Sequence, residues 1–251
     1  MKYYIFLLTS SFVFCQTQMK PEETEVWNPE PEKVIPGTLN SAPSDAIILF
    51  DGTNFSKWKS TVQNQPIKWT LNSDKSMTVK PGSGGIESID EHGSIQLHLE
   101  WKTPTSIKSK GQGRGNSGIF FQRRFEVQIL DSYENRTYSN GQAGSIYKQH
   151  IPLVNATLPP GKWQTYDIIF IEPQYNELGD EIKAGSFTVF HNGILIQNSV
   201  EILGTVEYIG KPKKGRDVMP GLENGQLKHR SLFLQDHGNL VSFKNIWMRK
   251  I

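Results

Sequence analysis

Ser94-Ile95-Gln96-Leu97-His98-Leu99-Glu100-Trp101 alternates apolar and polar residues without a break. A period of two sends Ile95, Leu97, Leu99 and Trp101 to one face and Gln96, His98 and Glu100 to the other, as in a strand that covers a core on one side. The same alternation returns at 125–129, 165–171, 186–191, 194–197, 232–235 and 241–247. Turn pairs separate these runs: Asp51-Gly52, Pro81-Gly82, Pro160-Gly161 and His237-Gly238-Asn239. His191-Asn192-Gly193-Ile194, set between two apolar runs, predicts a tight hairpin, because both central residues tolerate positive φ. No stretch of ten residues shows helical periodicity. The expected fold is all-β, a two-sheet antiparallel sandwich or jelly roll.

Composition agrees. The chain has 251 residues, 11% of them aromatic, with 22 Gly and 14 Pro, enough for a core and many turns. A formal charge of +2 gives no reason to expect a nucleic acid partner. The one cysteine, Cys15, excludes an intrachain disulfide and a cysteine metal site.

Residues 1–15 read as an export signal: Lys2 is followed by an apolar run to Phe14 that is too short to span a bilayer. Cleavage after Cys15 is preferred to lipidation of Cys15, since Phe14 stands where a small residue belongs. The protein is therefore expected in the periplasm, outside the cell or at its surface. Residues 16–45, with five Pro and five Glu, read as a tether, and 46–251 as the folded domain.

One strand carries more polar chemistry than a sandwich surface needs. Within Phe125-Glu126-Val127-Gln128-Ile129, Glu126 and Gln128 share a face about 7 Å apart, while Val127 faces the core. Asp131 is out of phase and joins that face only if the strand end re-aims it. Gln235 and His237 share a face where another strand ends, and Tyr147 follows a run of small residues. The six histidines show no metal spacing, and there is no phosphate loop or nucleophile elbow. The basic cluster Lys211, Lys213, Lys214 and Arg216 reads as a solvated loop.

Several motifs in order resemble the 3-keto-disaccharide hydrolase family, whose fold is concanavalin A-like. They are Leu49-Phe50-Asp51-Gly52 with Trp58, Gly115-Asn116-Ser117-Gly118-Ile119, Glu126-Val127-Gln128-Ile129-Leu130-Asp131-Ser132-Tyr133 and Gly141-Gln142-Ala143-Gly144-Ser145-Ile146-Tyr147. Gly161-Lys162-Trp163, His191-Asn192-Gly193, Leu234-Gln235-Asp236-His237-Gly238 and Phe243-Lys244-Asn245-Ile246 complete the series. The resemblance implies a concave sheet with a carbohydrate site. Carried onto this chain, it implies Glu126, His237 and Asp131 as catalytic, and Asn116, Gln128, Tyr147, Gln235 and Arg124 as substrate-binding. Relatives often carry an Arg shortly after Asn-Ser-Gly; here Gln122 stands there, followed by Arg123 and Arg124.

The implied reaction begins at C2 of a 3-keto sugar, whose proton the ketone acidifies. A base removes it, an enolate forms, the C1 oxygen leaves and water adds. Glu126 or His237 would be the base. Arg123, Arg124, Tyr147 or a divalent cation held by Asp131, Gln128 and Gln235 would steady the enolate. No organic cofactor is expected. Two alternatives stay open. A retaining glycosidase would use Glu126 as nucleophile and Asp131 as acid, with the carboxyls ~5–5.5 Å apart. A non-catalytic carbohydrate-binding module would use the same cleft without turnover.

Overall fold

The computed structural model describes residues 19–38, 41–214 and 230–251, with the backbone of 222–223 and 226–227. The predicted signal and Arg216 lie outside the described residues. Among these, the strands in chain order are β1 (Ile47–Phe50), β2 (Trp58–Ser60), β3 (Thr70–Leu71), β4 (Met77–Thr78), β5 (Ile86–Glu91), β6 (Ile95–Lys102), β7 (Ser117–Phe121), β8 (Phe125–Ile129) and β9 (Gln164–Ile171). They continue as β10 (Gln174–Tyr175), β11 (Glu181–Lys183), β12 (Ser186–His191), β13 (Ile194–Glu201), β14 (Leu222–Glu223), β15 (Gln226–Leu227), β16 (Ser231–Leu234) and β17 (Ser242–Lys250).

The alternating stretch that opens the sequence reading is β6, and its burial alternates residue by residue. It lies inside an eight-stranded antiparallel sheet ordered β13-β12-β9-β6-β17-β4-β3, with β1 also on β17. A five-stranded sheet, β2-β5-β16-β7-β8, faces it. Aromatic side chains fill the space between. Phe121 and Phe125 of the small sheet meet Phe170 of the large one at ring distances of 5.0 and 6.0 Å, and Phe121 meets Phe187 at 5.0 Å. All four rings are fully buried. The sandwich follows from these paired apolar faces, and every strand pair is antiparallel as expected. The Asn192-Gly193 hairpin joins β12 to β13 with φ of 52° and 77° at its centre.

Contacts divide the chain into two units, Met1–Val34 and Ile35–Ile251. The second unit begins inside the predicted tether. Its first residues are held locally: the Ile35 N–H donates to Ser44 Oγ, and Asp45 accepts two hydrogen bonds from the Arg249 Nε and Nη2. In the first unit, residues 19–33 are exposed, and the Trp27 indole N–H donates to Glu25. Among the described residues no helix is long and apolar enough to cross a membrane.

The small sheet departs from simple alternation. Every residue of β7 and β8 is buried, so both of their faces are covered. The core covers one face. The other carries Gly118, Phe120, Glu126 and Gln128, because Gly118 pairs with Gln128 and Phe120 with Glu126 across the ladder. Tyr147, Val206 and Tyr208 enclose a cavity on this second face.

Candidate active site

β8 positions the acid group. The N–H of Tyr147 donates to the Glu126 carbonyl, that of Gly144 to the Gln128 carbonyl, and that of Gln128 to Ser145. These bonds seal what would be a free sheet edge and bring Tyr147 beside Glu126. From the core side, the buried Tyr166 hydroxyl donates to the Gln128 carbonyl at 3.0 Å. The close approach requires glycine at 144, which has φ of 78° and where a Cβ would lie 2.0 Å from Ile196 Cδ1.

A cavity of about 260 Å³ is lined by Asn116, Phe120, Glu126, Gln128, Tyr147, Val206, Tyr208, Gln235 and His237. It lies below the ~300–1,000 Å³ of sites for drug-sized ligands, the scale of one sugar ring rather than several. Six sequence-predicted residues therefore come together here: Asn116, Glu126, Gln128, Tyr147, Gln235 and His237. Gln235 reaches it because its N–H donates to the Gly118 carbonyl, extending β16 past Leu234. Two turns hold the next residues, with the Asp236 carboxylate accepting from the N–H groups of Gly84 and Gly238. His237 is exposed at the rim.

Glu126 is 5% exposed, and no hydrogen bond to its carboxyl is formed among the described residues. Burial alone pushes its pKa up to about 8, since the charged form loses its hydration and finds no replacement donor. The carboxyl rests over Gly118. A Cβ at that position would lie 2.2 Å from Glu126 Oε1 and 2.8 Å from the Phe120 ring. Among the described residues, the side-chain oxygens of Gln128 and Gln235 are buried without hydrogen-bond partners. The Tyr147 and Tyr138 hydroxyls meet at 2.6 Å, and burial raises the pKa of both. Lys148 lies 4.6 Å from the Tyr208 ring centre, with Tyr138 at 5.5 Å and Tyr147 at 5.9 Å, and its ammonium donates to the Tyr208 carbonyl.

Two predicted residues stand apart. β8 ends at Ile129, and Asp131 turns to Arg114, whose Nε donates to it at 2.6 Å, with 2% and 11% of the two side chains exposed. Asp131 does not line the Glu126 cavity, so the expected set of Asp131, Gln128 and Gln235 around a cation is not assembled. Among the described residues no three His, Cys, Asp or Glu side chains come together as a metal site. Arg124 donates to the Gln122 carbonyl at 2.7 Å and lies outside the cavity lining. Arg123 pairs with Glu87 at 2.7 Å instead. Gln122, standing where relatives often have Arg, is fully buried and donates to the His92 carbonyl and to Glu172.

Sequence reading missed Gln112, Phe120, Val206 and Tyr208. The Gln112 side-chain oxygen accepts from Gln128 at 3.0 Å, and its carbonyl accepts from the Asn116 amide at 2.7 Å, so one loop residue orients two cavity side chains. Nothing in the polar stretch 103–115 distinguishes Gln112. The position of Phe120 was readable from ladder register, being opposite Glu126.

Fold and cleft together define an antiparallel β-sandwich with a desolvated carboxyl in a ring-sized cavity on its smaller sheet. The model of the 3-keto-alpha-glucoside-1,2-lyase-like domain matches residues 45–249, and the chain belongs to that family. It is similar to a crystal structure from Parabacteroides distasonis described as a "putative glycosyl hydrolase", with 42% identity, coverage of 93% of this chain and 97% of that one, and a TM-score of 0.83. A second structure from the same organism, described in the same words, is 18% identical over 82% of this chain and 94% of its own, with a TM-score of 0.53, and shares the fold. A search of the curated proteins finds no match.

Proposed function

We propose that this chain is an exported enzyme that cleaves 3-keto-glycosides by elimination and hydration. Family membership and the 42%-identical relative support carbohydrate-active, glycosyl hydrolase-like chemistry. The observation that carries the finer reading is the number of carboxyls. Ordinary glycoside hydrolysis works with two flanking the scissile bond. Among the described lining residues Glu126 is the one acid, and Asp131 is committed to Arg114.

A single desolvated carboxylate suits proton abstraction from carbon, because a raised pKa makes it the stronger base. Glu126 takes the C2 proton, and the C2–H electrons form the enolate with the C3 ketone. The Tyr147 hydroxyl, steadied by Tyr138, donates to the enolate oxygen. As the electrons return, the C1–O bond breaks, a C1=C2 bond forms beside the restored ketone, and His237 gives the leaving oxygen its proton. Water then adds its hydroxyl at C1 and its proton at C2. The amide oxygens of Gln128 and Gln235 accept from ring hydroxyls.

The test is a panel of 3-keto-glucosides and their parent glucosides, each with and without chelator. Cleavage of the keto sugars alone is expected. Cleavage of parent glucosides alone would establish ordinary hydrolysis, and binding without turnover would establish a carbohydrate-binding module. Sensitivity to chelator would bring in a hard cation.

A further inference from the structure

A second cavity encloses about 220 Å³. Its lining begins one residue from the Glu126 cavity on two separate segments. Asn116 lines the first cavity and Gly115 the second; His237 lines the first and Gly238 the second. The Gly115 N–H donates to Asn239 Oδ1 at 3.0 Å, tying the two segments together along the seam. A ligand anchored over Glu126 has this cavity next to it, and His237 stands at the junction.

The chemistry of the second cavity differs from that of the first. Pro81, Pro104, Ile107 and Leu240 supply apolar walls. Ile107 is 54% exposed and Leu240 48% exposed, large apolar side chains left open to water at a concave site. Of the three charged members, Arg114 and Asp131 satisfy each other, Arg114 Nη2 also donates to the Tyr133 carbonyl, and Lys108 is exposed to water. The less exposed polar side chains, Arg114, Asp131 and Asn239, are already committed, so a second sugar would find side-chain partners at exposed Ser106 and Lys108, and its remaining hydroxyls would lose hydrogen bonds once desolvated. A flat apolar ring loses nothing polar there and covers Ile107 and Leu240.

Resting on the proposed elimination chemistry, we infer that this cavity receives the leaving group, and that its preferred leaving group is an aromatic aglycone rather than a second hexose. His237, at the seam, then lies where the bond to that group breaks. The experiment compares naphthyl and methyl 3-keto-glucosides on the full chain and on Leu240→Ser and Ile107→Ser, both exposed enough to leave folding intact. It adds equilibrium binding of a naphthyl C-glycoside of 3-keto-glucose, which cannot be cleaved. Leu240→Ser is expected to lose about tenfold more kcat/KM on the naphthyl than on the methyl substrate, the worth of one buried apolar side chain. Equal losses on both substrates, with turnover intact, would overturn the aglycone site and leave the elimination reading standing. Absent turnover with naphthyl binding that Leu240→Ser weakens tenfold would keep the site and remove the elimination reading. Absent turnover with no effect on binding would remove both.

Discussion

Glu126 governs two pH dependences of opposite sense. Its folded pKa, about 8, lies above the 4.5 of an ordinary glutamate, so between those values the folded state holds a proton that the unfolded chain has released. The unfolded state binds fewer protons there, and stability falls as pH rises, by about 1.4 kcal/mol per unit at most. Denaturation of wild type and Glu126→Gln from pH 4 to 9 should show the wild type losing ground through that window and the two converging near pH 4. A parallel slope for both would mean that Glu126 is not the titrating group. Activity should run the other way across this window, rising towards about pH 8 as the base ionises. Glu126→Gln should lower turnover by ~10²-fold or more while circular dichroism stays unchanged. Asp131 gives a contrast. Asp131→Asn leaves Arg114 buried without its counter-charge, so a loss of stability of about 3 kcal/mol is expected in chemical denaturation. The surviving folded protein should keep its C2 proton exchange, which a catalytic Asp131 would not allow.

At the scale of elements, the β7–β8 hairpin is the device that builds the site. Gly118 opposite Gln128 leaves the bare patch over which the Glu126 carboxyl lies. Gly118→Ala places a methyl group where that carboxyl rests. Its turnover should fall by about 10²-fold with the sheet retained, because a small misplacement of a reacting group is costly; steady-state kinetics beside a melting curve would separate the two effects. This element also marks how far the sequence could be read. Alternation located β6, β8, β9, β12 and β16 to within a residue, since each turns one apolar face to the core and period two is a direct consequence. It also put Glu126 and Gln128 on one side of β8. It could not show that this side is covered. The cover comes from Tyr147, in a motif read without a place in space, and from Val206 and Tyr208, which lie beyond β13 and carry no local pattern. Asp131 lay past the strand end, where periodicity no longer dictates direction and the pull of Arg114 decides it.

At the scale of the molecule, residues 19–33 are exposed throughout, while the unit from Ile35 carries the core. A chain starting at Ile35 should melt at the same temperature as the longer one and retain its activity. A lower melting temperature on calorimetry would assign the first unit a part in stability. β17 has a further consequence. Its residues 242–250 pair with β6 along one edge and with β4 and β1 along the other. The ribosome delivers it after every other described strand, yet it occupies the middle of the larger sheet. Until it emerges, β1 has no strand partner, β4 has only β3, and one edge of β6 lacks a neighbour. Closure of the larger sheet is thereby deferred until the last of its described strands has been made.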